Sequence, residues 1–155
     1  MHARAREFAD RARERYGLDL TIQGFPEGTE TAADAAEAIG CAVGQIASSL
    51  VFAADGDLVV VVTSGANRVN ESRLASHLGS ESVSMAAPEE IKDVVGWSIG
   101  GVPPFCHDAS LPVYVDETLL AHDTVWAAAG APTAVFPIAP DELVELTDAT
   151  VVDVC

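Results

Sequence analysis

Two adjacent glycines followed by two prolines make the stretch Ile99-Gly100-Gly101-Val102-Pro103-Pro104-Phe105 the first place to look for chemistry. Glycine lets a backbone approach a ligand closely or take positive φ. Proline fixes the chain and removes a competing donor. A rigid loop of this kind presents N–H and C=O groups that can hold an amino group or an oxyanion. Such loops are also ordinary turns, and the stretch alone does not choose between the two. Asp116 closes the run Pro112-Val113-Tyr114-Val115-Asp116. A carboxylate leaving a buried strand can bind an amine or orient water. It can equally cap the helical stretch that begins at Glu117. Ser48 is polar inside the apolar run Ile46 to Phe52. Alternation puts Ser48 and Leu50 on one face and Ser49 on the other. A hydroxyl in that setting is commonly bonded to backbone.

Other chemistries have less to stand on. Cys106 and His107 are adjacent, so their side chains diverge rather than pair, and no Asn or Asp is placed to orient the histidine. His2, His77, His107 and His122 are scattered, with no HxxxH or CxxC spacing, so neither a metal nor a cofactor is expected. The sequence has no P-loop, GxGxxG or GxSxG pattern.

The elements that must position these residues follow from pattern and punctuation. Residues 1–16 read as a helix stopped by Gly17, with Phe8 and Ala12 on one face and arginines around them. The expectation is an appended arm, a solvated helix with paired charges rather than an RNA-binding one. Leu18 to Gln23 alternates as a strand, and residues 24–30 form a loop. Thr31-Ala-Ala-Asp34 opens an alanine-rich helix that ends at Gly40. Ile46 to Ala53 and Leu58 to Thr63 are strands joined by an Asp55-Gly56-Asp57 hairpin turn. Asn70 caps a helix over 71–78, stopped by Gly79. Residues 81–85 form a short strand, and Pro88 starts a helix that ends near Gly96. After the loop 97–110 come a strand at 111–115, a helical stretch at 118–121 and strands at 124–129 and 134–138. A helix at 141–146 and a strand at 150–154 come last. Strands and helices alternate irregularly, which predicts an α+β fold with a mixed sheet.

At 155 residues the sequence suits one domain. Its longest apolar run, Leu58 to Val62, is far short of the ~20 residues a membrane helix needs. The charged first segment resembles neither a secretory signal nor an anchor, and Cys41, Cys106 and Cys155 suggest a reduced, cytoplasmic setting. There are 24 acids against 8 bases, and Lys92 is the one lysine. Five of the seven arginines fall within the first fifteen residues, where acids reduce the local net charge to +2. A surface this acidic and lysine-poor suits work in concentrated salt, where carboxylates hold water and screening quiets their repulsion. It argues against non-specific nucleic-acid binding.

Five stretches together resemble the YbaK/EbsC family, which includes prolyl-tRNA editing domains. They are Gln45 to Phe52 (QIASSLVF), Leu58 to Arg68 (LVVVVTSGANR), Ile99 to Phe105 (IGGVPPF), Leu111 to Glu117 (LPVYVDE) and Trp126 to Gly130 (WAAAG). They occur in the family's order and at its spacing, across residues 18–154. The resemblance implies an arm over 1–17 and an editing-like domain over 18–155, with a highly curved mixed sheet flanked by helices. It implies a pocket for the 3′ end of an aminoacyl-tRNA, with no metal or cofactor. Gly100 to Pro104 matches the family's GxxxP element, and Asp116 its aspartate after the strand. The family's characteristic lysine falls at Ser48. The implied catalytic set is Gly100, Gly101, Asp116 and Ser48. The implied substrate-binding set is Val102, Pro103, Pro104, Arg68 and Gly130. The expected activity is hydrolysis of a mischarged tRNA in trans, Cys-tRNA(Pro) or Ala-tRNA(Pro) in type. A binding module that keeps the pocket without turnover is the alternative, and a Cys106-dependent hydrolase the third reading.

Overall fold

The computed structural model describes residues 3–25 and 31–155. The expected loop over 24–30 therefore lies mostly outside the described residues, as does His2. In sequence order the elements are α1 (Ala3–Tyr16), β1 (Gln23–Gly24), α2 (Ala32–Ile39), β2 (Ile46–Ala54), β3 (Asp57–Ser64), α3 (Glu71–Leu78) and β4 (Val83–Met85). They continue with α4 (Pro88–Glu90), β5 (Val113–Asp116), β6 (Val125–Ala128), β7 (Ala134–Ile138), α5 (Pro140–Thr147) and β8 (Thr150–Val152).

The strands form one mixed sheet in the order β1-β7-β6-β2-β3-β5-β8, with β4 also paired to β2. The β2–β3 hairpin is its centre and runs antiparallel from Ala47↔Ser64 to Ala54↔Asp57. Its turn places Asp55 and Gly56 at φ 50° and 92°, the left-handed pair that matches strand twist. This turn fixes the register, and a slip of one residue would exchange the two faces of β2. On one face Ala47, Val51, Val60 and Val62 join the main core with α1 and α5. On the other, Phe52, Val59 and Val61 pack with Leu74 of α3 and with Val152 and Val154.

Local signals set the helix ends as expected. The Thr31 hydroxyl accepts from the Asp34 amide and Gly40 caps at φ 86°; Asn70 and Gly79 do the same for α3. The helix opened by Pro88 passes after one turn into a wider π segment over Ile91–Val95 before stopping at Gly96.

Two expectations change. The strand expected over Leu18 to Gln23 shrinks to Gln23–Gly24, because β7 offers pairing only at Val135 and Ala134. Leu18, Leu20 and Ile22 pack on the core without a strand partner. The first helix is formed, but it is not an appended arm. Ala5, Phe8 and Ala12 are fully buried, and the Phe8 ring lies 5.2 Å from Phe136, 5.4 Å from Phe105 and 6.1 Å from Trp97. Aromatic contacts of this kind add about 0.5–1.5 kcal/mol per pair beyond area burial. The helix therefore belongs to the core of the domain.

Candidate functional site

The middle of β2 has an open edge. β6 pairs with β2 at Ile46 and Ala47, and β4 pairs with it at Phe52 to Ala54. Ser48 to Val51 lie between the two, with no strand beside them among the described residues. Alternation decides which backbone groups this leaves unpaired. Gly65 N–H donates to the Ile46 carbonyl across the hairpin, so the even-numbered residues of β2 bond to β3. The odd-numbered ones turn toward the open side, where the Val51 carbonyl accepts from Ala86. Ser49 therefore aims its backbone N–H and C=O into the gap.

A cavity of about 250 Å³ occupies this gap. Residues from both faces of β2 line it because it sits at the strand's edge rather than over one face. Ile46 and Ser48 meet it on the side of α2, and Ser49 and Val51 on the side of Ile91 and Val102. Ile99 and Met85, 52% and 48% exposed, form its rim. Apart from Ser48, Ser49, Thr31 and the indole N–H of Trp126 the described lining has no polar side-chain group, and none of it is ionisable.

The glycine–proline loop supplies one wall. Ser98 to Gly101 is a turn in which the Gly101 amide donates to the Ser98 carbonyl at 3.0 Å and Gly100 takes φ 87°. Of the two amides expected to serve an oxyanion, Gly101's is thus engaged inside the turn. Gly100 lines the cavity, and its amide has no partner among the described residues. Gly101 has a packing reason instead, since a Cβ there would lie 2.9 Å from the backbone of Ala131. Val102 lines the cavity. Pro103 and Pro104 do not: the His107 ring donates to the Pro103 carbonyl at 2.7 Å, and Pro104 faces a separate cleft.

The loop is tied at both ends. Trp97 donates to the Cys106 carbonyl at 3.0 Å. The guanidiniums of Arg4 and Arg11 lie 4.1 and 5.0 Å from the centre of the Trp97 ring system. Arg4 donates to the Gly96 carbonyl, Arg11 to the Cys106 carbonyl and the Asp108 carboxylate, and Arg15 to the His107 carbonyl. Arg4, Arg11 and Arg15 of α1 thus brace the loop that carries Gly100 and Val102.

Other expected site residues are placed elsewhere. Asp116 is 1% exposed and outside the cavity. Its carboxylate accepts from the Thr63 hydroxyl, the Ser64 and Thr118 amides and the Asn67 side chain at 3.0–3.2 Å. Burial works to raise its pKa, but the hydrogen bonds from Asn67, Thr118 and Ser64 outweigh it and hold the group below the ordinary carboxylate value. Asp116 is the cap of the turn over 117–121 and a tie between β3 and β5. Gly130 lets α1 dock: a Cβ would fall 2.7 Å from Trp97 and 2.8 Å from the Arg4 carbonyl. Arg68 is exposed in the loop before α3 and does not line the cavity. Cys106 is buried, at φ 64°. Burial pushes its thiol up to about 11 against the pull of Arg15 and Arg11, so it carries almost no thiolate at neutral pH. Burial likewise lowers the pKa of His107. A Cys106 nucleophile therefore has no support in this geometry. The described residues contain no group of three or more His, Cys, Asp or Glu able to hold a metal. None of the described helices is long and apolar enough to cross a membrane.

Sequence and structure comparisons bear on the fold and the family. A solved candidate trans-editing enzyme for prolyl tRNA synthetase matches with a TM-score of 0.94 at 39% identity, over 99% of this protein and 98% of that one. An uncharacterized protein of Bacillus subtilis, YwhH, is 32% identical over 134 residues, 84% of each protein. The proline–tRNA ligase of Staphylococcus aureus strain Newman is 29% identical over 88 residues, which is 57% of this protein and 15% of the ligase. The family model for the aminoacyl-tRNA editing domain matches residues 26–146. With that span covered and the fold shared along its whole length, the protein belongs to the aminoacyl-tRNA editing domain family.

Proposed function

We propose that this protein is a deacylase acting in trans on the ester of a mischarged tRNA, Cys-tRNA(Pro) or Ala-tRNA(Pro) in type. The observation that carries the proposal is the small apolar cavity at the open edge of β2, with the unengaged Gly100 amide at its wall. The similarity to part of a proline–tRNA ligase and to a candidate prolyl trans-editing enzyme supports the choice of tRNA. Apolar walls of this size suit a side chain as small as that of alanine or cysteine. One methylene is worth only ~1–3 kcal/mol in such a pocket, so an editing site works by excluding larger residues.

The chemistry this site supports is hydrolysis by positioned water. The scissile carbonyl oxygen accepts from the Gly100 amide, which stabilises the developing oxyanion. Water adds to the carbonyl carbon, the bond to the ribose oxygen breaks, and the leaving 3′-oxygen takes up a proton from the attacking water. No ionisable side chain is among the described cavity residues, so a hydroxyl of the substrate itself is the group at hand to relay that proton. An ester is activated enough for this to suffice.

The same lack of an ionisable group favours the second reading, a module that binds the aminoacyl end without turnover. Incubation with Cys-, Ala- and Pro-charged tRNA(Pro) separates the two. Cleavage of one mischarged species above its spontaneous rate, with Pro-tRNA(Pro) spared, is the expected result. Binding without cleavage would favour the module.

A further inference from the structure

Ser49 has a buried hydroxyl with nothing bonded to it. Its Oγ is the one buried side-chain nitrogen or oxygen among the described residues that lacks a hydrogen-bond partner, and Ser49 lines the cavity. An unsatisfied buried hydroxyl is costly to keep. The same strand accepts alanine at 47, 53 and 54, so packing gives no reason for serine here. The backbone carbonyl of Ser49 turns to the same gap, because odd-numbered residues of β2 face its open edge. Ser49 thus offers two acceptors at the strand edge that lines the cavity, its buried Oγ and its backbone carbonyl, while Ile99 and Met85 form the exposed rim.

The direction of entry decides what meets them. The ribose and the rest of the tRNA must stay at the mouth, so the aminoacyl end goes deepest. Its side chain suits the apolar walls, and its carbonyl oxygen is taken by the Gly100 amide. The polar group left to go down is the α-amino group, a donor. We infer that Ser49 is a substrate-binding residue whose Oγ and backbone carbonyl accept hydrogen bonds from the α-amino group of the aminoacyl ester. This rests on the reading of the cavity as an aminoacyl-ester site. Neutral acceptors suffice, since an amine entering in its neutral form buries no unpaired charge.

The test compares alanyl-tRNA(Pro) with propionyl-tRNA(Pro), which differs by loss of the amine alone and is no larger. The alanyl/propionyl ratio of kcat/KM is measured for the wild type, Ser49→Ala and Ser49→Thr. Intrinsic ester reactivity cancels when the ratios are divided. The expected result is a ratio reduced roughly three- to tenfold in Ser49→Ala, the worth of one hydrogen bond, and retained in Ser49→Thr. The thermal midpoint of Ser49→Ala should match or exceed that of the wild type, because no partner is lost. An unchanged ratio overturns the assignment, as does a lowered midpoint with both substrates slowed equally. The alanyl and propionyl amides of 3′-amino-3′-deoxyadenosine give the same comparison by binding. A wild type that binds the alanyl amide more tightly through Ser49 but cleaves no ester keeps this assignment and removes the deacylase reading. A wild type that neither binds nor cleaves removes both.

Discussion

Asp116 shows how a carboxylate at a promising position can be wholly committed to structure. Its acceptor capacity is filled from β3, from the loop after it and from its own turn, and it lies outside the cavity. Asp116→Ala should cost about 2–4 kcal/mol, since it strands several buried donors. The cost should appear as a lower thermal midpoint with KM unchanged. The pKa of Asp116 is depressed in the folded state, so its contribution is present above the ordinary carboxylate pKa and is lost as pH falls through the folded value. The gap in stability between wild type and variant should therefore close in acid. The sequence left capping and chemistry equally open at this residue, because a strand-terminal aspartate suits both. Alternation did separate Ser49 from Ser48. That Ser49 faces an open edge was not legible, because edge status depends on where β4 and β6 stop.

Among the elements, α1 is the one whose role differs most from its pattern. Its arginines read as a solvated face, and four of them, Arg4, Arg11, Arg13 and Arg15, bond within the protein. The distant partners at 96 and 106–108 cannot be seen from spacing. Phe8 fills the centre of an aromatic group that includes Phe105 of the loop. Phe8→Ala should cost ~3–5 kcal/mol, read by denaturant unfolding. Its effect should reach the cavity, because it loosens the brace on the loop; at a temperature where the variant stays folded, KM should rise. The hairpin, both capped helices and most strands were legible because their signals are local: Thr31, Asn70, Gly40, Gly79 and the Asp55-Gly56 turn. The strand expected over 18–23 failed because a strand needs a partner, and alternation within one segment says nothing about that.

For the whole molecule, a net charge of −16 makes stability depend on salt. Self-repulsion of that size opposes the compact state, and at ~1 M salt the Debye length is only ~3 Å. The thermal midpoint should rise with potassium chloride, by on the order of 2–4 °C for each kcal/mol of repulsion removed. A midpoint that falls with salt would contradict an adaptation to concentrated salt. The fold class and family were legible from ordered motifs spread along the sequence, which is why the mixed sheet came out as expected. The deciding measurement is deacylation of Ala-tRNA(Pro) and Cys-tRNA(Pro) in potassium chloride by the wild type beside Ala128→Phe, which fills the cavity from β6. An editing cavity at the open edge of β2 predicts cleavage of at least one species by the wild type. It also predicts a loss of about tenfold or more in the folded variant, or about 1.4 kcal/mol of transition-state binding. Cleavage undiminished in Ala128→Phe, or no cleavage by the wild type, would contradict it.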